Sequence, residues 1–123
     1  AMIHSFAGNS TTVALLAAAS CADTAAATGS AVDLLDYCGG AIIVQNHGTS
    51  TGTLTGKIQD SADGSTDWQD VSGASFTQST TTADIKAIAL QTKQVRRYIR
   101  YVGTVGTGPQ VVGVSLTAVK KTV

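Results

Sequence analysis

The sequence predicts an all-β fold, an antiparallel β-sandwich or jelly roll in a single domain, with a less regular N-terminal segment. Three observations predict it. From residue 41 onward the chain is a succession of short β-branched runs, "AIIVQ", "TLTGKIQ", "WQDV", "IKAIAL", "RRYIRYVGTV" and "QVVGVSLTAV", each bounded by Gly, Asn, Asp or Ser. Two of these runs alternate cleanly between apolar and polar residues, the period of a strand with one wet face. No helical pattern alternates with them, which argues against a parallel α/β sheet.

The elements follow in chain order. Ala-rich stretches before residue 40 are helix-formers by propensity, but Thr, Ser and Gly interrupt them. They are read as two strands, near 12–19 and 31–37, joined by a loop. "AIIVQ" is apolar on both faces and so belongs at the centre of a sheet. In "TLTGKIQ", Leu54, Gly56 and Ile58 face inward, with Thr53, Thr55, Lys57 and Gln59 outward. In the Arg-rich run Val95, Ile99 and Tyr101 form the inner set, which places Arg97 with them and Arg96 and Arg100 opposite. In the last run Val112, Val114, Leu116 and Ala118 face inward. Pro109, the only proline, falls in the turn between the last two strands, where its missing N–H costs nothing. The domain takes in residues 1–123, with residues 1–11 expected as an N-terminal arm.

Composition limits the function classes. A chain of 123 residues holds one core and no separate catalytic lobe. Charged residues make up 13%, well below the usual quarter, so the surface is mostly Thr, Ser, Gly and Ala and suits a protein packed against neighbours or, equally, a rigid extracellular module. The net charge is zero but unevenly placed. Residues 1–56 carry three Asp and no Lys or Arg, residues 57–92 carry five Asp and two Lys, and residues 93–123 carry six basic residues and no acid. Such a chain can meet a copy of itself or an acidic partner with complementary fields, or neutralise itself across one sheet. Arg96, Arg100, Lys120 and Lys121 are the candidate partner contacts. No window approaches the length of a membrane span. No Lys or Arg precedes Lys57, so "VALLAAASC" lacks the positive flank of a signal sequence.

Chemical motifs fail on context. "GTSTG" around Ser50 matches a nucleophile elbow, but a strand follows it, and His4 and His47 both precede the serine. "GTLTGK" lacks the hydroxyl residue after Lys57 that a phosphate loop needs, and "GTVGTG" at 103–108 lacks dinucleotide spacing. Asn9-Ser10-Thr11 matches a glycosylation acceptor in a chain already rich in Ser and Thr. Neither histidine has a Cys or carboxylate cluster at metal spacing. Asp60, Asp63, Asp67 and Asp70 lack the ligand alternation and closing Glu of a calcium loop. This stretch, "QDSADGSTDWQDV", is read as a hairpin turned at Asp63-Gly64, with Ile58 and Trp68 anchoring its arms. No cofactor, metal or catalytic set is expected. "KQVRRYIRY" mixes Arg with Tyr98 and Tyr101, as in single-strand nucleic-acid binders, but the rest of the chain is acidic and no nucleic-acid partner is expected. Cys21 and Cys38 fit no zinc or redox spacing; they are either bridged or, as their small apolar neighbours favour, two buried free thiols.

Taken together, "KIQDSADGSTDWQDV", "RRYIRYVGTVGTG" and the final "VVGVSLTAV" resemble the small β-sandwich virion proteins of tailed bacteriophages. The matching positions are Gln59, Ser61, Asp63, Gly64, Trp68, Asp70, Val71, Arg97, Tyr98, Ile99 and Arg100, and the likeness spans residues 53–120. The resemblance implies a non-enzymatic capsid decoration, or cement, protein. It would bind the major capsid protein on the virion surface after assembly in the host cytoplasm, as a homotrimer or homodimer, with no membrane partner. Head-completion and tail roles are neighbouring alternatives. The same residues are also similar to discoidin-type galactose-binding sandwiches, which implies carbohydrate binding as the competing function.

Overall fold

The computed structural model describes residues 10–21, 26–48, 52–79, 82–106 and 110–120, with only the backbone at 18–21, 26–27 and 120. The described residues form nine strands: β1 (Ser10–Cys21), β2 (Ala26–Thr28), β3 (Val32–Asp33), β4 (Tyr37–His47), β5 (Leu54–Ser61), β6 (Gln69–Ser75), β7 (Asp84–Gln91), β8 (Tyr98–Val105) and β9 (Gln110–Lys120). They form two antiparallel sheets, ordered β1-β9-β4-β7 and β2-β8-β5-β6, with β3 also paired to β8. The pairs β1·β9, β2 and β3 with β8, β4·β7 and β5·β6 nest in sequence. The chain is thus one long antiparallel ribbon rolled over itself, the jelly-roll form of the sandwich, with the β5–β6 hairpin at the tip of the ribbon.

Inward residues of both sheets make the core. Leu54 and Ile58 from β5, Ile99 and Tyr101 from β8, and Val112, Val114, Leu116 and Ala118 from β9 are all buried, as the alternation predicts. Val95 is only partly buried and precedes β8. Tyr101 is the largest fully buried side chain, and its place explains a glycine pair. Gly56 and Gly103 face each other across β5 and β8, and the Tyr101 ring lies against both. A Cβ on Gly56 would come within 2.3 Å of Tyr101 Oη and 2.5 Å of Gln45 Oε1. Tyr101 Oη donates to Gln45 Oε1 at 2.6 Å, and Gln45 Nε2 donates to Ser79 Oγ at 3.3 Å, so the buried polar groups satisfy one another between the sheets.

Four expectations need correction. The strand expected at 31–37 shrinks to β3, because Asp33 Oδ1 accepts the Leu35 N–H at 2.9 Å and turns the chain. Arg97 is not an inner residue: it precedes β8, is exposed, and pairs with Asp33, so the alternation begins only at Tyr98. Trp68 precedes β6 and lies half-buried outside the core, so it does not pair with the buried Ile58. Cys38 is a free, exposed thiol rather than a buried one. An internal bridge is excluded by register: Cys21 pairs with Gln110 and Cys38 with Val119, at opposite ends of β9. Nine residues of strand separate those ends by about 30 Å, against the ~7 Å limit of a disulfide.

β4 lies inside its sheet, as its apolar run predicts, yet the sandwich covers only one of its faces. Ile43 is fully buried while its neighbour Ile42 stays 44% exposed on the outside. Ser10 and Thr11, at the end of the expected arm, belong to β1 and pair with Val119 and Ala118 of β9, and residues 1–9 lie outside the described set.

Candidate interaction surfaces

The aspartate-rich tip of the β5–β6 hairpin is held by its own side chains. Asp63 Oδ1 accepts from the N–H of Ser65 at 3.0 Å and of Thr66 at 2.9 Å, and from Ser61 Oγ at 3.0 Å, while Asp63 Oδ2 accepts from Thr66 Oγ1 at 2.7 Å. These donors, the Ser65 N–H foremost and the Thr66 N–H next, hold the Asp63 carboxyl far below the usual carboxylate range. Gly64 closes the turn at a φ of 80°, and a Cβ there would press on the Tyr98 ring at 2.9 Å. Among the described residues no group of three His, Cys, Asp or Glu is placed to hold a metal.

Arg96 ties this tip to the body of the sandwich. Its side chain bonds Asp60 Oδ1 through Nε and Nη2 at 3.1 and 3.0 Å, and reaches Asp67 Oδ2 at 3.1 Å. The backbone oxygens of Asp60 and Asp67 also accept from Nη2, at 2.7 and 2.8 Å. Burial works against the charged guanidinium, but the hydrogen bonds it donates to Asp60 and Asp67 outweigh it and raise the Arg96 pKa. Arg97 is likewise raised by its paired hydrogen bonds to Asp33, at 2.9 and 2.7 Å. Two of the C-terminal arginines therefore neutralise aspartates from earlier in the chain, while Lys57–Asp70 and Lys86–Asp84 pair locally.

Arg100 sits on the outer face of the second sheet. Its Nε and Nη2 donate to Gln59 Oε1 at 3.0 and 2.8 Å, and its guanidinium lies 4.3 Å from the centre of the Trp68 ring. Gln59 Nε2 donates to Asp70 Oδ1 at 2.9 Å, and Lys57 Nζ lies 3.0 Å from the same oxygen. Those bonds, from Gln59 first and then Lys57, lower the Asp70 pKa. This face is a hydrogen-bonded polar ladder in which Arg100 covers one side of Trp68.

The outer face of the first sheet is built differently. It presents Thr12 and Ala14 from β1, Val111, Ser115 and Thr117 from β9, Ile42, Val44 and Asn46 from β4, and Ile85, Ala87 and Ala89 from β7. None of these carries a charge. The Thr12–Thr117 hydroxyl pair, at 2.9 Å, crosses its β1–β9 seam.

The expected contact residues are thus separated. Arg96 and Arg100 adjoin the hairpin tip, whereas the Lys120 backbone pairs with Tyr37 in the other sheet; the Lys120 side chain and Lys121 lie outside the described residues. His47 is buried, with Nε2 hydrogen-bonded to Gln110 Oε1, and Ser50 and His4 lie outside the described residues. The uncharged face escaped the motif reading; the signal for it was the double-sided apolar run of β4.

No protein-family profile and no curated protein matches the sequence. Solved structures share the fold. The prophage PBSX exported protein XepA is similar over 97% of this chain at 16% identity with a TM-score of 0.64, and this chain spans only 39% of its length. The SPBc2 prophage-derived protein YomS is similar over 91% of this chain and 94% of its own, at 13% identity and a TM-score of 0.58. A protein of the disulfide-linked pili of Bacillus endospore appendages is similar over 90% of this chain and 86% of its own, at 13% identity and a TM-score of 0.53. The discoidin-type likeness finds no support in these neighbours. At such identities the likeness establishes the all-β sandwich and nothing finer, and two of the three proteins come from prophages.

Proposed function

We propose that the protein is a non-enzymatic structural component of a phage particle, a decoration protein that binds the major capsid protein on the outside of the shell and stabilises it. The observation that carries this reading is the fold shared over nearly the whole of both chains with a prophage-derived protein. Two further features support it. The charged side chains of the hairpin tip are engaged within the chain, and both sheets present broad outer faces. The depressions beside Leu34, Tyr37 and Val95, about 340 Å³, and beside Asp60, Val71 and Arg96, about 550 Å³, are both open to solvent. In this reading the polar ladder around Arg100 and Trp68 faces the shell, and Arg96 acts by holding the tip in shape.

Mixing purified protein with undecorated particles tests the proposal. Saturable binding at a fixed copy number per particle, with a rise in particle melting temperature, is the expected result. No binding to particles of the phage that carries the gene contradicts it. Copy number separates decoration from a head-completion or tail role. Carbohydrate binding is the competing reading; a glycan-array signal lost in Trp68→Ala with the fold retained would establish that reading instead.

A further inference from the structure

We infer that the uncharged outer face of the β1-β9-β4-β7 sheet is the surface through which two copies of this chain pair, sheet against sheet. Exposure comes first: Ile85 is 67%, Val111 50% and Ile42 44% exposed, and they lie on β7, β9 and β4 of one sheet with Val44 and Ala87 among them. Such a patch on an isolated chain keeps apolar area in water that a partner removes.

Charge selects the partner. In a twofold pair each patch meets itself, so any charge near the centre meets a like charge. The described residues of this face carry none, and Lys86 and Asp84, on β7 itself, point inward and pair with each other at 2.6 Å. The opposite sheet, with Lys57, Asp70 and Arg100 on its outside, lacks this freedom.

Area is sufficient. Four strands about 4.8 Å apart and about seven residues long at about 3.3 Å each give a rectangle of roughly 19 by 23 Å. Side-chain relief raises its accessible area, so two such faces together bury on the order of 1,000 Å², where specific interfaces begin. Small residues such as Ala87, Ala89 and Ser115 let the sheets approach to the ~10 Å spacing of a sandwich. The inference does not depend on the phage reading.

Sedimentation of the whole chain at rising concentration tests it, with Ile85→Lys and Ala87→Glu as separate variants and circular dichroism as the check on folding. Both substitutions are at exposed positions on an edge strand, and Lys57→Glu on the other sheet serves as control. The expected result is a dimer at tens of micromolar that persists in molar salt, is lost in either face variant, and is retained in Lys57→Glu. A monomer throughout, or a dimer untouched by both face variants, overturns the inference. So does a monomeric chain whose particle binding fails in Ile85→Lys, since that assigns the face to the shell.

Discussion

The two outer sheet faces of this sandwich stand on the same roll of chain and are finished in opposite ways. On the second sheet, Arg100, Gln59, Asp70 and Lys57 form a continuous set of hydrogen bonds, with Trp68 stacked against the arginine. On the first, isoleucine, valine and alanine face out and a hydroxyl pair crosses the β1–β9 seam. An outward position on this sandwich is polar only where nothing covers it. A protein that leaves Ile42 and Ile85 in the open while setting its charges on the other side has a use for that face.

Two adjacent residues of β4 should differ most between the faces. Ile43 is fully buried between the sheets and Ile42 is its outward neighbour. Ile43→Ala should cost about 3 to 4 kcal/mol by denaturant unfolding, whereas Ile42→Ala at low protein concentration should cost less than about 1 kcal/mol. Equal losses would mean that the outer face is already covered within one chain.

Arg96→Ala is next in size. It leaves the Asp60 side chain, only 13% exposed, with the Arg96 N–H but without its guanidinium, and it frees Asp67. A loss of about 2 kcal/mol in the same assay is expected, because an underpaired, largely buried carboxylate is the costly product. Arg100→Ala should cost under about 1 kcal/mol, as a cation–π contact at a partly exposed site does. It should also shift Trp68 fluorescence toward that of an exposed indole. A loss as large as that of Arg96→Ala would show that the polar ladder supports the fold as much as the hairpin tip does.

Acid separates the tip and the polar ladder from the uncharged face. The carboxyl of Asp63 is held low by the Ser65 and Thr66 N–H groups, that of Asp33 by Arg97, and that of Asp70 by Gln59 and Lys57. A depressed carboxyl stabilises the folded chain fully above its unfolded value of about 3.9, and loses that contribution as pH falls below it toward the folded value. Melting temperatures should therefore fall steeply below about pH 4. Asp63→Asn should begin lower at neutral pH and fall less steeply in acid.

Much of the fold was legible because the inner faces obey period two from Leu54 to Asp60 in β5 and from Gln110 to Val119 in β9. Leu54, Gly56 and Ile58, and Val112 through Ala118, fall where the alternation puts them. What was illegible depended on contacts distant in sequence or on a single turn. Arg97 looked like an inner residue because the period was extended past the start of β8, and only Asp33, far upstream, shows it is outside. Trp68 left the strand because Asp67 takes a φ of 54°, which breaks the period just before it. The separation of Cys21 from Cys38 is a matter of register on β9, and sixteen residues of spacing say nothing about it. The interaction surface was half legible: apolar residues on both faces of β4 announced a central strand, but not that one face would stay open.

The most direct test of the claim that the two faces do different work is the concentration dependence of the melting temperature, since pairing stabilises the folded chain by mass action. The melting temperature of the wild-type chain and of Lys57→Glu should rise with protein concentration, and this rise should vanish in Ile85→Lys. A wild-type melting temperature independent of concentration, or a rise that survives Ile85→Lys and disappears in Lys57→Glu, would contradict it.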